Sequence, residues 1–485
     1  MSIRKCFTGK DTSIHRYLLI LLFSSLLIFS LTVNSQGVEL KEQVKTYTLD
    51  NGMKVIMLKE DFSSTIHFNL MFDVGGIDEP AGLGGIAHMV EHMAFKGTQS
   101  LGTDQPQKEQ KLLDKLDQAA DAYLSARNKE VSEDKLQKLK EKFNKYQKEA
   151  KAVAQANPLM EIYDTYGAQN YNAGTSYDTT TYYLSLPSNK LELYARIQAD
   201  VIKNAVFRYF YEEVDVVKEE RRQRNEDDPT GYLQEQFLKK AFKYHYYGRS
   251  LIGSMKEISN YRRTRAKEFW NKHYHPNRAV LVMIGDVNPE EDIEVIKKYF
   301  GSIPEGPEPE SLIPPEPIQT SERRTTVTFD AEPQMMIGYH KPTYPDKEAY
   351  IMDVISAILG KGRTSRLHQR LVTEEQVAVN VSTSSNMPGT RDPNLFYIHV
   401  TTKHPHTPRE VEKIIYEEIE KLKEKLVSNW ELEKVKNQVR GQFIRQLDSR
   451  TGLGRELAFY EHFLGGWENL NKYQTNINSI TAEDI

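Results

Sequence analysis

Cysteine is almost missing from this sequence: its 485 residues include a single one, Cys6. One thiol cannot form an intramolecular disulfide, and we expect the N-terminal segment that carries it to be removed. A thiol nucleophile and a thiolate metal site are therefore excluded, so any metal ligands must be His, Asp or Glu side chains. The sequence also lacks a charge excess, because 64 Lys and Arg residues face 68 Asp and Glu residues. We therefore expect no nucleic-acid partner.

Long apolar runs are absent with one exception, residues 17–33 near the N-terminus. Four basic residues precede this run: Arg4, Lys5, Lys10 and Arg16. Val33 and Ser35 place small residues three and one positions before a cut at Gln36. This pattern predicts a signal peptide over residues 1–35 and an exported protein, periplasmic or secreted. The alternative is an uncleaved anchor, since a run of this length just spans a bilayer. In that case the chain would touch the membrane only through this segment.

The most informative stretch is His-x-x-Glu-His, formed by His88, Glu91 and His92. At about 100° per residue, these side chains lie on one face of a helix, opposite the apolar Ile86 and Val90. Two imidazoles at i and i+4 reach one metal ion, and a zinc ion at a catalytic site keeps one position open for water. The carboxylate beside the metal then takes the proton from that water. The alternative is an amphipathic helix with two solvated histidines, but the apolar flanks favour burial and hence a metal partner.

The inverted order of this motif is the inverzincin pattern, and from about residue 40 to its end the chain resembles pitrilysin-type (insulinase family) zinc metallopeptidases. The resemblance is to the short bacterial kind with two domains. It implies a zinc metalloendopeptidase that holds one Zn²⁺ per chain. His88, His92 and a glutamate from a second helix would bind the ion, and Glu91 would be the general base.

The family also indicates which glutamate completes the metal site. Its motif places the third ligand on a helix after a Val-Val-x-x-Glu-Arg-like run, which residues 216–222 match with Glu220 in the ligand position. Glu213 lies two turns earlier on the same face, where the family has a second carboxylate that supports the site. Glu219 points about 100° away and is the weaker candidate. For any of these glutamates, the alternative is a solvated side chain.

Residues 172–175 resemble an Asn-Ala-x-Thr strand that lines the cleft in this family and pairs with the backbone of the peptide substrate. The resemblance implies that Asn172, Ala173 and Thr175 bind substrate. Main-chain hydrogen bonds to an added strand give affinity with little sequence preference. The expected substrates are peptides or unfolded segments, cleaved in a chamber between two domains. The alternative is an ordinary surface strand.

The chain is long enough for two domains, and the resemblance implies an internal duplication with one inactive half. We therefore predict an α+β fold of two homologous domains, each a mainly antiparallel sheet covered by helices. The predicted order after the signal peptide is a catalytic domain (36–303) with a charged helical-hairpin insert (106–154), a proline-rich linker (304–322) and an inactive domain (323–485). Strands at 325–329 and 335–339 and a helix at 347–359 would repeat the order of the first domain. This helix contains no histidine, so we expect one active site per chain.

The sequence departs from the family pattern in the second domain. Relatives often carry an Arg and a Tyr seven residues apart that reach the substrate, but those positions are Val372 and Val379 here. Arg366 or Arg370 could replace the pair, or a partner chain could supply it. We therefore expect a homodimer, or a heterodimer with a homologous subunit that holds the pair. A non-catalytic scaffold subunit is the remaining alternative, although the intact zinc motif argues against it. The sequence ends at Ile485, before a last strand in relatives, so we expect the second domain to be clipped.

Overall fold

The computed structural model describes residues 43–129, 131–308 and 313–485. The predicted signal peptide, residues 1–35, lies outside this part of the chain, as do residues 309–312 of the predicted linker. No helix in the described ranges combines the length and the apolar composition that crossing a bilayer requires.

A six-stranded sheet forms the centre of the first domain. Its strands are β1 (Val44–Thr48), β2 (Lys54–Lys59), β3 (Thr65–Phe72), β4 (Gln169–Thr175), β5 (Thr180–Pro187) and β6 (Ala279–Gly285). They lie in the order β1-β2-β6-β3-β5-β4. β2 and β6 run parallel, whereas β3 pairs antiparallel with both β5 and β6, and β4 pairs antiparallel with β5. A turn at residues 50–52 joins β1 to β2, with Gly52 at the left-handed φ of 81° that glycine adopts without strain. β1 and β4 are therefore the two edge strands of this sheet.

Helices pack around this sheet. They are α1 (Ile86–Ala94), α2 (Pro106–Arg127), α3 (Glu133–Lys151), α4 (Pro158–Thr165), α5 (Leu191–Asn204), α6 (Phe210–Arg221), α7 (Pro229–Ala241), α8 (Met255–Ile258), α9 (Arg263–His273) and α10 (Pro289–Phe300). α1, which carries the motif, begins after Gly85, whose φ is 83°. A Cβ at Gly85 would lie 2.2 Å from the carbonyl oxygen of Ile252, so only glycine allows the chain to enter α1 this closely.

The apolar face of α1 is buried against the sheet, as the periodicity predicted. Met89 and Met93 are inaccessible to solvent and belong to the same core as Phe68 and Leu70 of β3. Burial of each such side chain contributes about 1.5–3 kcal/mol to folding. This packing fixes the rotation of α1 about its axis, so the opposite, polar face is presented to α6, which contacts α1.

The predicted helical hairpin is formed by α2 and α3, and a buried arginine anchors it to the domain. The side chain of Arg208 is 1% exposed. Its guanidinium donates to both carboxylate oxygens of Glu109 on α2, at 2.6 and 2.8 Å. It also donates to the carbonyl oxygens of Lys96, Thr98 and Leu101. The insert is therefore fastened to the loop that follows α1.

Replacing Glu109 with alanine is expected to destabilise the protein by about 3–5 kcal/mol, because the buried guanidinium of Arg208 loses its counter-charge. The measurement is the Tm of the variant beside that of the native chain. Glu141 on α3 is the matched control, since its side chain is exposed and its removal should change stability by less than about 0.5 kcal/mol. Equal Tm values for the two variants would contradict the anchoring role of this ion pair.

The second domain is built on a three-stranded antiparallel sheet. Its strands are β7 (Gln334–Lys341), β8 (Ala378–Met387) and β9 (Asn394–Thr402), in the order β7-β9-β8. Its helices are α11 (Lys347–Gly360), α12 (Pro408–Glu424), α13 (Asn429–Leu447), α14 (Arg450–Phe463) and α15 (Leu470–Ser479). β7 and α11 confirm the predicted strand at 335–339 and helix at 347–359. The α+β class with two such domains is confirmed.

The predicted strand at residues 325–329 is wrong, because this stretch is irregular and has no strand partner. Its Thr and Val residues have high β-propensity, but a strand also needs a neighbour for its main-chain groups. One face of β7 packs against helix α7, where a Cβ at Gly338 would lie 2.5 Å from the ring of Phe237. Side chains hold the stretch in place: Arg324 pairs with Glu412, and the ring of Phe329 lies 5.6 Å from that of Tyr232.

Helix α14 of the second domain covers one face of the first sheet, against β3 and β6. Gly454 allows the close approach, since a Cβ there would lie 3.1 Å from Cβ of Asn69. Arg450 adds an ion pair with Glu60 at 2.6 Å. Because side chains alternate along β3, Asn69 faces α14 while Phe68 faces the core beneath α1. The sheet therefore separates α14 from the helix that carries the motif.

Candidate metal centre

Three side-chain atoms from two neighbouring helices converge at the candidate site. His88 and His92 lie on α1, and Glu220 lies on α6. The two Nε2 atoms are 3.3 Å apart, and Glu220 Oε2 is 3.6 Å from His88 Nε2 and 3.7 Å from His92 Nε2. Ligands about 2.0–2.1 Å from a tetrahedral zinc ion lie about 3.3 Å from one another, so this set fits such an ion. Across the described ranges, no second group of three potential ligands meets in this way.

The electrostatic environment keeps His88 in the form that binds metals. Burial, with a smaller contribution from His92, lowers the pKa of His88 to about 3. The ring is therefore neutral at physiological pH and has a lone pair for a metal. Its Nδ1 is buried and contacts no hydrogen-bonding group among the described residues, which leaves Nε2 as the reactive nitrogen.

Glu213, to which the family resemblance assigned a supporting role, contacts the second histidine. Its Oε1 is 2.8 Å from Nδ1 of His92, and its Oε2 is 2.9 Å from Nζ of Lys96. Burial opposes ionisation of Glu213, but the bonds from His92 and Lys96 outweigh it and lower its pKa. For His92, burial disfavours the cation, while the bond to Glu213 and the nearby carboxylates outweigh burial and raise its pKa. A neutral His92 that donates Nδ1–H to Glu213 presents its Nε2 lone pair to the metal position.

Glu91 lies on the same helix and has a defined orientation. It is 8% exposed, and its Oε2 accepts a hydrogen bond of 2.6 Å from Oγ1 of Thr175 on β4. Burial raises the pKa of Glu91, and the bond from Thr175 partly offsets this effect. A carboxylate with a raised pKa, held beside a metal position, is suited to accept and release a proton.

The strand beside Glu91 has a free edge, because β4 is one of the two edge strands of its sheet. In the turn that joins β4 to β5, the N–H of Ser176 points across the hairpin and donates to the carbonyl of Thr179. Since pairing alternates, the main-chain groups of Thr175 and Ala173 face the free edge and those of Asn172 face β5. The N–H of Ala173 is accordingly bonded to the side-chain Oδ1 of Asn172, at 2.8 Å. Ala173 and Thr175 thus offer free main-chain groups to an added strand, while the side chain of Asn172 covers one of them.

In the second domain, two valines occupy the family's Arg and Tyr positions, and the two nearby arginines are held in ion pairs. Val372 packs against the core of that domain, and Val379 is 58% exposed. Arg366 forms two bonds with Glu431, at 2.8 and 2.7 Å. Arg370 is held by three carboxylates: Glu375, Glu417 and Glu418. Both arginines are therefore engaged in ion pairs of the second domain, which counts against either replacing the missing Arg and Tyr.

Two cations at the site were missed from the sequence, Lys96 and Arg224. Nη2 of Arg224 lies 2.9 Å from Oε1 of Glu220. Arg224 follows Glu220 by four residues, and side chains four apart meet on a helix, so this spacing was a signal that could have found it. Lys96 lies in the loop after α1 and contacts Glu213, and no sequence spacing connects these two residues.

Comparisons with known proteins agree with this geometry. Residues 54–129 and 147–255 match the family model described as insulinase (peptidase family M16), and residues 260–439 match the model described as the peptidase M16 inactive domain. The zinc protease PqqE of Helicobacter pylori is 28% identical over 472 residues, covering 95% of this chain and 93% of that protein. An uncharacterized zinc protease of Rickettsia felis is 23% identical over 450 residues, covering 92% and 94%. Among solved structures, a protease from Helicobacter pylori superimposes with a TM-score of 0.74 at 25% identity, covering 91% of this chain and 94% of that one.

Proposed function

This chain belongs to peptidase family M16, the insulinase family, and from that premise we propose that it is a zinc-dependent endopeptidase acting on peptides or unfolded segments. The observation that carries the proposal is the convergence of His88, His92 and Glu220 beside the buried carboxylate of Glu91. The zinc-protease names of the relatives support the choice of metal. We propose one zinc ion per chain, bound by these three ligands.

Each residue around the metal position has a separate role in the proposed reaction. A zinc ion bound there would supply a Lewis acid and lower the pKa of water toward about 7. Glu91 takes the proton from the attacking water and then delivers it to the amine nitrogen of the leaving peptide. Glu213 keeps His92 in the tautomer that binds metal, and Lys96 keeps Glu213 ionised.

We propose that the substrate lies along β4 as an added strand, in a chamber between two domains. The free main-chain groups of Ala173 and Thr175 support this arrangement, and the bond from Thr175 to Glu91 brings the strand to the base. Main-chain recognition suits peptides of varied sequence. A peptide carbonyl would displace Asn172 Oδ1 from the N–H of Ala173 and take its place.

A second candidate is the catalytic subunit of a heterodimer with a homologous partner. The ion pairs that engage Arg366 and Arg370, together with Val372 and Val379, favour it over a self-sufficient homodimer. A scaffold subunit without chemistry is the weakest candidate, because Glu91 and the three ligands form a complete set. The segment 1–35 supports an exported protein, periplasmic or secreted.

Cleavage of a mixed quenched-peptide library by the purified chain tests the proposal. The chain is expected to cut several unrelated peptides after loading with zinc. A sample kept with a metal chelator is the control and should cut none. Cleavage that appears only after a homologous subunit is added would establish the heterodimer. A zinc-loaded chain that cuts nothing, with or without that subunit, would refute the peptidase function.

A further inference from the structure

The third ligand, Glu220, is held from two sides. Its Oε2 faces the two histidines, whereas its Oε1 lies 2.9 Å from Nη2 of Arg224. Glutamate binds metals through one oxygen or through both. An oxygen engaged by a guanidinium has to break a charge-assisted hydrogen bond before it can turn toward the metal. The ion pair therefore favours coordination through Oε2 alone.

The backbone that carries Arg224 is fixed even though its side chain is 71% exposed. The residue lies in a π-helical segment, Arg222–Glu226, that continues α6. Such wide turns are rare and often occur at functional sites. On its N-terminal side, Arg221 donates to Glu235 at 3.1 Å, and on its C-terminal side Asn225 donates to the same carboxylate at 3.2 Å. Arg221 and Asn225 thus tie the segment to α7, so the backbone position from which the Arg224 side chain extends is fixed.

We propose that Arg224 is a positioning residue that holds Glu220 in one-oxygen coordination and so keeps a place at the metal free for water. The inference rests on the proposed metal site and adds Arg224 to the residues that shape it. A catalytic zinc site needs an open position, and a glutamate that binds through both oxygens would crowd it. The planar, permanently charged guanidinium suits this task better than an ammonium group, because its donors form a rigid fork.

The test compares R224A with R222A in the full chain. Arg222 lies in the same π-helical segment and pairs with Glu219, which is not a ligand, so R222A controls for loss of a charge there. The first readout is the visible spectrum of the cobalt-substituted protein, whose band intensities report coordination number. For R224A the bands should weaken as Glu220 binds through both oxygens, while R222A should keep the native spectrum. R224K should be intermediate, because it retains the charge without the fork.

The second readout is metal affinity against turnover. Zinc should bind R224A no more weakly than the native chain, since a repelling cation is lost and an oxygen is gained. kcat should nevertheless fall about tenfold, the low end for a residue that supports a ligand, because the side chain is exposed. A native cobalt spectrum for R224A would overturn the proposal whatever happens to kcat, since Arg224 would then act on something other than Glu220. If the loaded native chain cuts no peptide, the peptidase function fails, but the spectra still decide the role of Arg224.

Discussion

The Glu91→Gln variant is expected to bind zinc like the native chain and to cleave peptides about 10²–10⁴-fold more slowly. Glutamine keeps the shape of the side chain and an oxygen for the 2.6 Å bond from Thr175, but it cannot accept the proton of the attacking water. Because the lost interaction acts on the reacting proton, kcat should fall while KM changes little. Steady-state cleavage of a quenched peptide gives both constants, and metal analysis gives the zinc content.

Glu219→Gln is the matched control for this experiment. Glu219 is a half-exposed glutamate directly beside a ligand, and it is paired with Arg222 rather than with the metal site. Its amide variant should retain native kcat and KM. If E91Q cleaved at the native rate with zinc bound, another group would have to take the proton. If E91Q instead lost its zinc, Glu91 would be part of the metal-binding set and the division of roles would be wrong.

The local part of the site could be predicted from the sequence because a helix relates near neighbours by a fixed angle. The spacing of His88, Glu91 and His92 determines which face they share, and the apolar residues between them determine which face is buried. Glu220 lies far away in the sequence, beyond the helical insert, and no periodicity connects it to α1. Family resemblance supplied it, and the distances between ligand atoms now agree with that choice.

The remaining contacts of the site could not be predicted, because they join residues that no regular sequence spacing relates. The bond from Thr175 to Glu91 joins a strand edge to a helix, and the one from Lys96 to Glu213 joins a loop to another helix. The irregular stretch at 325–329 shows the same limit for the fold. Strand propensity was present there, but whether such a stretch finds a neighbouring strand to pair with is decided by tertiary packing. Local sequence patterns therefore predicted helices and strands, whereas tertiary packing determined which of them formed.

The Ala173→Pro variant is expected to lower kcat/KM for peptide substrates by about ten- to a hundredfold, because a substrate carbonyl would lose its main-chain donor. An unpaired buried acceptor costs about 1–3 kcal/mol, which corresponds to that range. Proline is compatible with this position, since the N–H of Ala173 faces the free edge of β4 and bonds only to the side chain of Asn172. The pairing of β4 with β5 should therefore survive the change.

Ala173→Ser separates this effect from a change of side chain, because it retains the N–H and should keep most of the native kcat/KM. Zinc content and Tm, measured for both variants, establish that the metal site and the sheet are intact. The loss should be similar for peptides of unrelated sequence, since every peptide presents the same carbonyl to an added strand. A loss confined to one peptide would point instead to a side-chain contact. An unchanged kcat/KM for A173P would mean that substrate does not add to β4, so the bond from Thr175 would serve only to orient Glu91.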